Sequence, residues 1–351
     1  GGRPPMPRFL NRQRIILYAL AILALVAARE LRMADPPLVA SLRALTFDAY
    51  QRLKPRQPLG QALRIVDIDE ASIAELGQWP WPRTQLARMV DRLAELGAAA
   101  LAFDMVFSEP DRTGPAGFLA ELRRRDAAAG DAVAPLIAGL EDNDLVLARS
   151  FEAIPTALGF FNDTNSALGL PEPKAGFASI GPDPGAILPP IASSVMSLKM
   201  FREAATGSGT ISLGANLDGV VRTVPMFVAA GEGRKYPSLA LETLRLVQDA
   251  STYILKTSEA SGELRVGGLA MTDFKVGQFE VPVTKSGELI VYYAHDDPAL
   301  YLSARDLLTK SDAELAPLVE GHILFFGASA SGLRDIRITP LGESVPGVFV
   351  H

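Results

Sequence analysis

Residues 63–111, LRIVDIDEASIAELGQWPWPRTQLARMVDRLAELGAAALAFDMVFSEPD, decide the fold because two apolar runs flank one amphipathic segment. The runs at 63–68 and 98–106 are short and aliphatic, which is typical of strands buried in a parallel sheet. Between them an apolar stripe recurs at helical spacing, formed by Leu86, Met89, Val90, Leu93 and Leu96. Thr84 is the expected N-cap of this helix, and Gly97 is its expected C-terminal stop. The stretch therefore predicts a βαβ unit.

The rest of the chain extends this prediction to an α/β fold, with a mixed, mainly parallel central sheet flanked by helices and an antiparallel β insertion. Two further apolar runs are typical of strands in that sheet, at 156–161 and 323–326. Residues 209–213 and 220–228 predict a β-hairpin, and residues 252–294 alternate around Gly-containing turns, as antiparallel strands do. Residues 162–195 are rich in Pro, Gly, Asn and Ser, which predicts a long irregular connection.

The composition argues against two kinds of site. The chain has 351 residues and a net charge of −6, with no long Lys/Arg block after its N-terminus. It therefore lacks the basic surface by which proteins bind nucleic acid. It has no cysteine, which excludes disulfides, thiol chemistry and thiolate zinc sites. The length fits either one α/β domain with insertions or two domains.

The N-terminus carries a membrane signal. Four arginines, with no acidic residue among them, precede the 14-residue apolar run at 15–28. This pattern predicts that residues 1–34 form a cytoplasmic N-terminus and one uncleaved transmembrane helix, and that residues 35–351 form a single extracytoplasmic domain. A helix of this length rises about 21 Å, against roughly 30 Å of hydrocarbon core, so the flanking arginines would have to snorkel. A cleaved signal peptide and a buried soluble helix are the alternatives.

Acidic residues follow both predicted strands of the opening stretch. Because the carboxyl ends of parallel strands meet at one edge of a sheet, we expect these side chains to form a ligand site there. They are Asp67, Asp69, Glu70, Asp104, Glu109 and Asp111. Asp67 and Asp69, two residues apart, would share a face of the strand, and with Asp104 they predict a site for Ca²⁺ or Mg²⁺, which take oxygen ligands. The alternative is that these carboxylates cap helices and pair with arginines such as Arg83.

Two further motifs adjoin this edge. Trp79 and Trp81, in the Pro-stiffened loop 77–82, predict either a wall of the ligand site or a lid over the core. The loop Gly327–Gly332 follows a strand and could hold an anion with backbone N–H groups, but it lacks the Lys of a P-loop and the Gly spacing of a dinucleotide site. The sequence contains neither a GxSxG motif nor a closely spaced His pair, so we do not expect this chain alone to be catalytic.

Five blocks of sequence occur in order along the chain. They are IVDIDEASIAELGQWPWPR at 65–83, ALAFDMVFSEPD at 100–111, NLDGVVRTVPMF at 216–227, YPSLALE at 236–242 and ILFFGASASGLRDIRITPLGESVPGVFVH at 323–351. Together they resemble the extracytoplasmic CHASE sensor domain, type two, of bacterial signalling receptors. Trp79, Trp81 and Arg83 of the first block and Asp335 of the last block join the acidic edge as candidate ligand-binding residues.

The resemblance implies a sensory input module of a receptor in the bacterial inner membrane, with the sensor in the periplasm. We also expect an unknown small ligand or ion as stimulus and a homodimer as the working form. The expected output, encoded after His351, is an adenylate or guanylate cyclase that makes a cyclic nucleotide such as cAMP. A histidine kinase, a Ser/Thr kinase and a diguanylate cyclase are the alternative outputs. Two other classes stay open, an envelope hydrolase that uses a divalent ion at the acidic edge and a dimerisation domain that senses nothing.

Overall fold

The chain is divided into two compact units, residues 1–55 and residues 56–351. The computed structural model describes residues 12–34, 36–57, 62–163, 166, 169–214, 218–258, 268–333 and 335–351. In the first unit, α1 spans Arg12–Ala34 and α2 spans Pro37–Leu53. The proline that begins α2 occupies a first-turn position, where a helix needs no backbone N–H.

The predicted transmembrane anchor is wrong. Among the described residues, no helix combines the length with the apolar composition that a membrane crossing needs. α1 has 23 residues, but its apolar run is bounded by Arg14 on one side and by Arg29 and Glu30 on the other. The run therefore falls short of the roughly 20 consecutive apolar residues of a transmembrane helix. The fold class that the described residues show is α/β with mixed sheets.

The second unit is built from short strands and helices. Its described strands are β1 Leu63–Ile68, β2 Ala100–Phe103, β3 Thr156–Asn162, β4 Gly176–Ile180, β5 Ser194–Val195, β6 Gly207–Thr210, β7 Thr223–Pro225, β8 Phe227–Ala229, β9 Lys235–Pro237, β10 Thr252–Thr257, β11 Met271–Val276, β12 Phe279–Pro282, β13 Glu288–Ile290, β14 Tyr301–Ser303, β15 Ile323–Ala328, β16 Ile336–Ile338 and β17 Ser344–Pro346. Its described helices are α3 Glu70–Leu76, α4 Arg83–Glu95, α5 Pro115–Arg125, α6 Ala127–Ile137, α7 Asn143–Glu152, α8 Lys199–Ala204, α9 Leu239–Val247, α10 Asp306–Thr309, α11 Asp312–Val319 and α12 Gly347–Val350.

The central sheet has the strand order β14-β1-β15-β2-β3-β6, and all these neighbours are parallel. The short strand β5 pairs antiparallel with the end of β3. In the middle of the sheet, β1 and β15 pair along their whole lengths, from Leu63 opposite Ile323 to Ile68 opposite Ala328. Their aliphatic sequences suit strands that are buried on both faces.

Helices cover both faces of this sheet. On one face Val66 and Phe326 belong to a cluster that packs against α4, α7, α8, α10 and α11. On the other face Ile65 and Phe325 pack against α9 and α12, which contribute Leu239 and Val348. Neighbouring residues of β1 and β15 thus serve opposite faces, as the period of two in a strand requires.

The predicted βαβ unit is confirmed in its elements and corrected at their ends. β1 has the predicted bounds, and α4 is the predicted helix between the two strands. α4 begins after Pro82 without a side-chain cap, so Thr84 is not its N-cap. Gly97 has a φ of 76°, the left-handed conformation expected after a helix. Between β1 and β2 lies β15, so the two predicted strands are not direct neighbours.

The antiparallel insertion forms a second sheet with the order β12-β11-β10-β4. β10, β11 and β12 are antiparallel as predicted, whereas β4, within the predicted irregular connection, pairs parallel with β10. A second core forms around Phe227, Tyr253 and Phe274. The predicted hairpin of residues 209–228 is wrong, because β6 joins the central sheet beside β3 while β7 and β8 pair with β13 and β9.

Candidate functional site

Two cavities that share Asp335 lie at the carboxyl-terminal edge of the central sheet. The first cavity has a volume of about 400 Å³ and is lined by residues of β1, β14, the loop after β15 and the β16–β17 hairpin. The second cavity, also about 400 Å³, is lined by the last residues of β3, by residues that follow β2 and β6, and by residues of the closing segment. Ligands of open α/β sheets bind at this edge, which makes the paired cavities the candidate site.

Asp67, near the end of β1, is held by the loop after β15. Its carboxylate accepts hydrogen bonds from the backbone N–H of Ser329 at 2.9 Å and from the Ser329 hydroxyl at 2.6 Å. Burial raises the pKa of Asp67, the bonds from Ser329 oppose this change, and the carboxylates of Asp69 and Asp296 add to it. Asp67 is 6% exposed and lines the first cavity, so its charge is favoured when a positive group binds beside it.

Asp296, Tyr301 and Asp335 are further polar residues of the first cavity. The hydroxyl of Tyr301 donates a 2.8 Å hydrogen bond to Oδ1 of Asp296, and burial together with this carboxylate raises the pKa of Tyr301. Asp335 forms an ion pair of 2.8 Å with Arg337. Burial nevertheless raises the pKa of Asp335, with a further contribution from Asp104. The first cavity therefore contains three carboxylates, and two of them are disfavoured as charges by their surroundings.

The second cavity brings a histidine beside a carboxylate. Nε2 of His351 lies 3.5 Å from Oδ1 of Asp104, and the two side chains are 2% and 6% exposed. Nδ1 of His351 is buried and has no hydrogen-bond partner within the described part of the chain. Phe161 and Asn162, at the end of β3, line the same cavity. The arrangement offers hydrogen-bond acceptors beside an apolar ring.

Asp69 and Glu70 lie outside both cavities and fasten the loops around them. Asp69 caps α3 by accepting a 2.7 Å hydrogen bond from the N–H of Ser72. Burial acts to raise the pKa of Asp69, but the bonds from Ser72 and Ser303 outweigh it and the pKa is lowered. Glu70 accepts a 2.9 Å hydrogen bond from the N–H of Ser331. Asp69 therefore caps a helix, as the alternative predicted, and Glu70 holds the loop after β15 in place.

The predicted anion cradle of the loop Gly327–Gly332 is already filled by the protein's own carboxylates. The N–H of Ser329 donates to Asp67, and the N–H of Ser331 donates to Glu70. The N–H of Ala330 donates to the carbonyl oxygen of Ile68. The loop thus binds negative groups through its backbone, as its sequence indicated, but these groups belong to the chain itself.

The predicted Ca²⁺ or Mg²⁺ site does not form from Asp67, Asp69 and Asp104. Within the described ranges, no group of three or more Asp, Glu or His side chains is arranged to hold a metal ion. The reason is that β1 ends at Ile68, so Asp69 leaves the strand and caps α3 instead of facing the same way as Asp67. Asp104, after β2, lines a different cavity from Asp67.

Arg83 and Asp144 form a separate buried pair, which the half-buried Asp111 and the backbone of the exposed Glu109 join. Nε of Arg83 lies 3.4 Å from Oδ1 of Asp144, and the guanidinium lies 4.6 Å from the ring centroid of Phe107. The backbone N–H of Arg83 donates to Asp111 at 2.8 Å, and its Nη2 donates to the carbonyl oxygen of Glu109 at 3.3 Å. Burial lowers the pKa of Arg83, while Asp144 and Asp111 favour its charge. The cluster connects α4, α7 and the loop after β2, so we interpret it as structural.

The two tryptophans pack on the core. Their ring centroids are 5.2 Å apart in an edge-to-face arrangement, and Trp81 donates a 2.7 Å hydrogen bond from Nε1 to the carbonyl oxygen of Gly77. Trp81 is 2% exposed and packs with the α4 side of the central sheet. Neither ring lines the two cavities, so this geometry matches the predicted lid.

The residues of the candidate site that were not predicted from the sequence include Ser329, Tyr301, Asp296, Arg337 and His351. Three of them lie in the closing block at 323–351, where the resemblance was a usable signal. Tyr301 and Asp296 belong to β14 and the turn before it. β14 has only three residues, which is too short for a periodic pattern to single it out.

Comparison with known proteins supplies one match. A family model described as the CHASE2 domain matches residues 19–351. No curated protein and no solved structure matches the chain. The matched range contains the whole central sheet and every residue that lines the two cavities.

Proposed function

This chain belongs to the CHASE2 domain family, an extracytoplasmic sensor domain of signalling receptors, and from this premise we propose that its stimulus binds in the two cavities at the carboxyl edge of the central sheet. The observation that carries the proposal is the position of Asp335. Asp335 lines both cavities, and its carbonyl oxygen accepts a hydrogen bond from the closing segment of the chain. A stimulus in either cavity would therefore act on the same residue.

The contacts of Asp335 supply a physical route out of the site. The N–H of Gly347, the first residue of α12, donates a 2.8 Å hydrogen bond to the carbonyl oxygen of Asp335. Val348 of α12 packs directly against Gly327 of β15. Binding that moves or neutralises Asp335 would thus favour one position of α12 over another, which is a population shift of the kind that receptors use.

We propose a nucleotide cyclase as the output of the receptor, in the inner membrane of a bacterium, with a homodimer as the working form. Support for this output comes only from the association of the family with such receptors, which is an argument by analogy. A kinase or a diguanylate cyclase would use the same route through α12. The reading frame that encodes this chain tests the proposal, because the residues encoded beyond His351 identify the output directly.

The functional test compares the output of the wild-type receptor with that of a receptor in which Asp335 is substituted. Asp335→Asn removes the charge shared by the cavities. Asp131→Asn removes a charge of α6 that is 72% exposed and lines neither cavity. We expect the first substitution to change cyclic nucleotide production in cells and the second to leave it unchanged. Equal output from both variants and the wild type would contradict the proposed site.

A further inference from the structure

The second sheet ends in a strand whose outer backbone groups are unpaired. In the order β12-β11-β10-β4, β4 is an outer strand, and among the described strands it pairs only with β10. The N–H of Gly176 donates a 2.9 Å hydrogen bond to the carbonyl oxygen of Ser251, the residue before β10. Because successive residues of a strand direct their backbone groups to opposite sides, Phe177 and Ser179 direct theirs away from β10. Within the described ranges, no hydrogen bond reaches the N–H or C=O groups of these two residues.

β4 also lacks the features that usually protect such an edge. Edge strands of native proteins commonly carry a charge, a proline or a bulge that prevents pairing with another chain. The opposite edge of the same sheet, β12, has exposed Glu280 and Pro282. β4 has the sequence GFASI, which contains neither a charge nor a proline, and four of its five residues are exposed. Its register with β10 is regular. Within the described part of the chain, the sheet is therefore protected at β12 and unprotected at β4.

The backbone of β4 is complementary to that of a second copy. Ala178 is the middle residue of the strand. An antiparallel pair with a two-fold axis at Ala178 therefore places Phe177 of each copy opposite Ser179 of the other. Residues paired in this way exchange two hydrogen bonds between their N–H and C=O groups. The groups that are free in one copy thus meet the groups that are free in the other.

The side chains on the outer face of this pair also fit. Ile180 is 47% exposed and would lie opposite Gly176 of the second copy, which has no side chain, while the two Ala178 methyl groups would meet at the axis. Ile254 of β10 is the partner of Ala178 in the sheet and extends this apolar surface in each copy. Because β4 contains no charged residue, the repulsion between like charges on paired strands is absent.

These features favour a second copy over a strand of another protein. A two-fold interface must be complementary to itself, whereas the edge that binds a foreign strand needs no such symmetry. In β4 the free backbone groups and the sizes of the side chains are both matched about Ala178. We propose that β4 pairs antiparallel with β4 of a second copy, so that two four-stranded sheets become one continuous sheet. This inference rests on the homodimer of the proposed function and adds the surface through which it forms.

The absence of cysteine from the chain permits a disulfide test of this register. The two Ala178 residues would form a pair without mutual hydrogen bonds, in which Cα atoms are about 4.5 Å apart. A disulfide can span that distance. We expect Ala178→Cys in the purified full chain to give a covalent dimer under mild oxidation, detected on a non-reducing gel.

Two exposed positions serve as controls. Ile180→Cys lies on the same face of the same strand, but its two copies would be about 13 Å apart along the strands, which is too far for a disulfide. Glu280→Cys lies on the opposite edge of the sheet. We expect both variants to give much less covalent dimer than Ala178→Cys.

Ser179→Pro tests the interface without a disulfide. Proline removes an N–H that points away from β10, so β4 can keep its pairing with β10. We expect the dissociation constant of the dimer, measured by sedimentation at a series of protein concentrations, to rise about tenfold or more. Circular dichroism shows whether the variant is folded, and if it is not, the cross-linking result decides.

Several results would overturn the inference. They are no covalent dimer from Ala178→Cys, an equal yield from Ile180→Cys or Glu280→Cys, and a wild-type dissociation constant for folded Ser179→Pro. A wild-type chain that stays monomeric at every concentration would also reject a second copy and leave the edge to a strand of another protein. If β4 does not pair but Asp335→Asn still alters the receptor output, the interface is wrong and the proposed site stands. If Asp335→Asn leaves the output unchanged, the proposed site fails whatever the result of cross-linking.

Discussion

The carboxylate of Asp335 occupies the space in which a side chain at residue 347 would begin. A Cβ built on Gly347 overlaps this carboxylate, while the N–H of Gly347 is bonded to the carbonyl oxygen of Asp335. Only glycine permits both contacts. Gly347, the first residue of α12, therefore packs tightly against Asp335, the residue that both cavities share.

Gly347→Ala should destabilise the protein by about 1–3 kcal/mol, because the added methyl group must displace the carboxylate of Asp335. In an Asp335→Ala background the obstacle is gone, and the same change should have a much smaller effect. Urea unfolding of the two single variants and the double variant measures this coupling. Gly139→Ala is the control, since a Cβ there meets nothing within 4 Å. Strict additivity of the two changes would contradict the packing described.

Asp67→Asn should make the protein more stable than the wild type at neutral pH. The pKa of Asp67 is raised in the folded state, so its favourable contribution is present below the ordinary value of 3.8 and is lost as pH rises through the raised pKa. Asn can keep both contacts to Ser329, with its Oδ1 facing the N–H and its Nδ2 facing the hydroxyl. The gain in free energy of unfolding should therefore shrink as pH falls toward 3.8.

Asp69→Asn should have the opposite effect on the stability of the protein at neutral pH. Its pKa is lowered in the folded state, so its contribution is present above the ordinary value of 3.8 and is lost as pH falls through the lowered pKa. The variant should be less stable than the wild type at neutral pH and approach it in acid. Thermal unfolding of both variants between pH 3 and pH 7 checks the pair, and stability differences of the same sign would argue against the two environments.

Asp144→Ala should destabilise the protein by about 3–5 kcal/mol, because it leaves the buried Arg83 without its partner. The two side chains are 10% and 5% exposed. The matched control is Asp131→Ala, which breaks an ion pair with Arg123 whose side chains are 50% and 72% exposed, and it should change stability by about 0–1 kcal/mol. Chemical denaturation measures both. Similar losses in the two variants would show that the buried cluster is not structural.

Trp81→Phe should lower stability by about 1–2 kcal/mol, through loss of the hydrogen bond to Gly77 and part of the edge contact with Trp79. The output of the native receptor should stay unchanged, because Trp81 does not line the cavities. Denaturant unfolding and cyclic nucleotide production in cells together make the measurement. A change of output without a loss of stability would restore Trp81 as a wall of the ligand site.

The strands that were predicted correctly are those that a short apolar run in the sequence identifies by itself. β1 is a short aliphatic run with the predicted bounds, and β15 begins at Ile323, where the apolar run at 323–326 predicted a strand. The hairpin at 209–228 failed because periodicity identifies a strand but not its partner. β6 pairs with β3, and β7 pairs with β13, which lies 63 residues further along the chain in the pairing of Pro225 with Glu288.

The candidate site shows the same limit. The sequence places Asp67 and Asp69 on one face only if the strand continues past Ile68, and the strand ends there. The partner of Arg83 could not be predicted, because Asp144 lies in α7, far from Arg83 in the sequence, and no local spacing pattern relates the two residues. Asp335 and His351 reach the edge through β16 and α12, two elements of three and four residues. Elements this short owe their position to tertiary packing and not to local propensity.

The contact between Gly327 and Val348 sets the stiffness of the closing segment. A Cβ on Gly327 would collide with the Val348 side chain, so helix and strand meet backbone to side chain with no free volume between them. Close-packed matter of this kind resists compression. A displacement of β15 by a fraction of an ångström cannot be absorbed at this contact and must reappear as movement of the residues beyond it. Because residue 327 is glycine and has no Cβ, β15 and α12 approach closely enough to move together as one rigid unit.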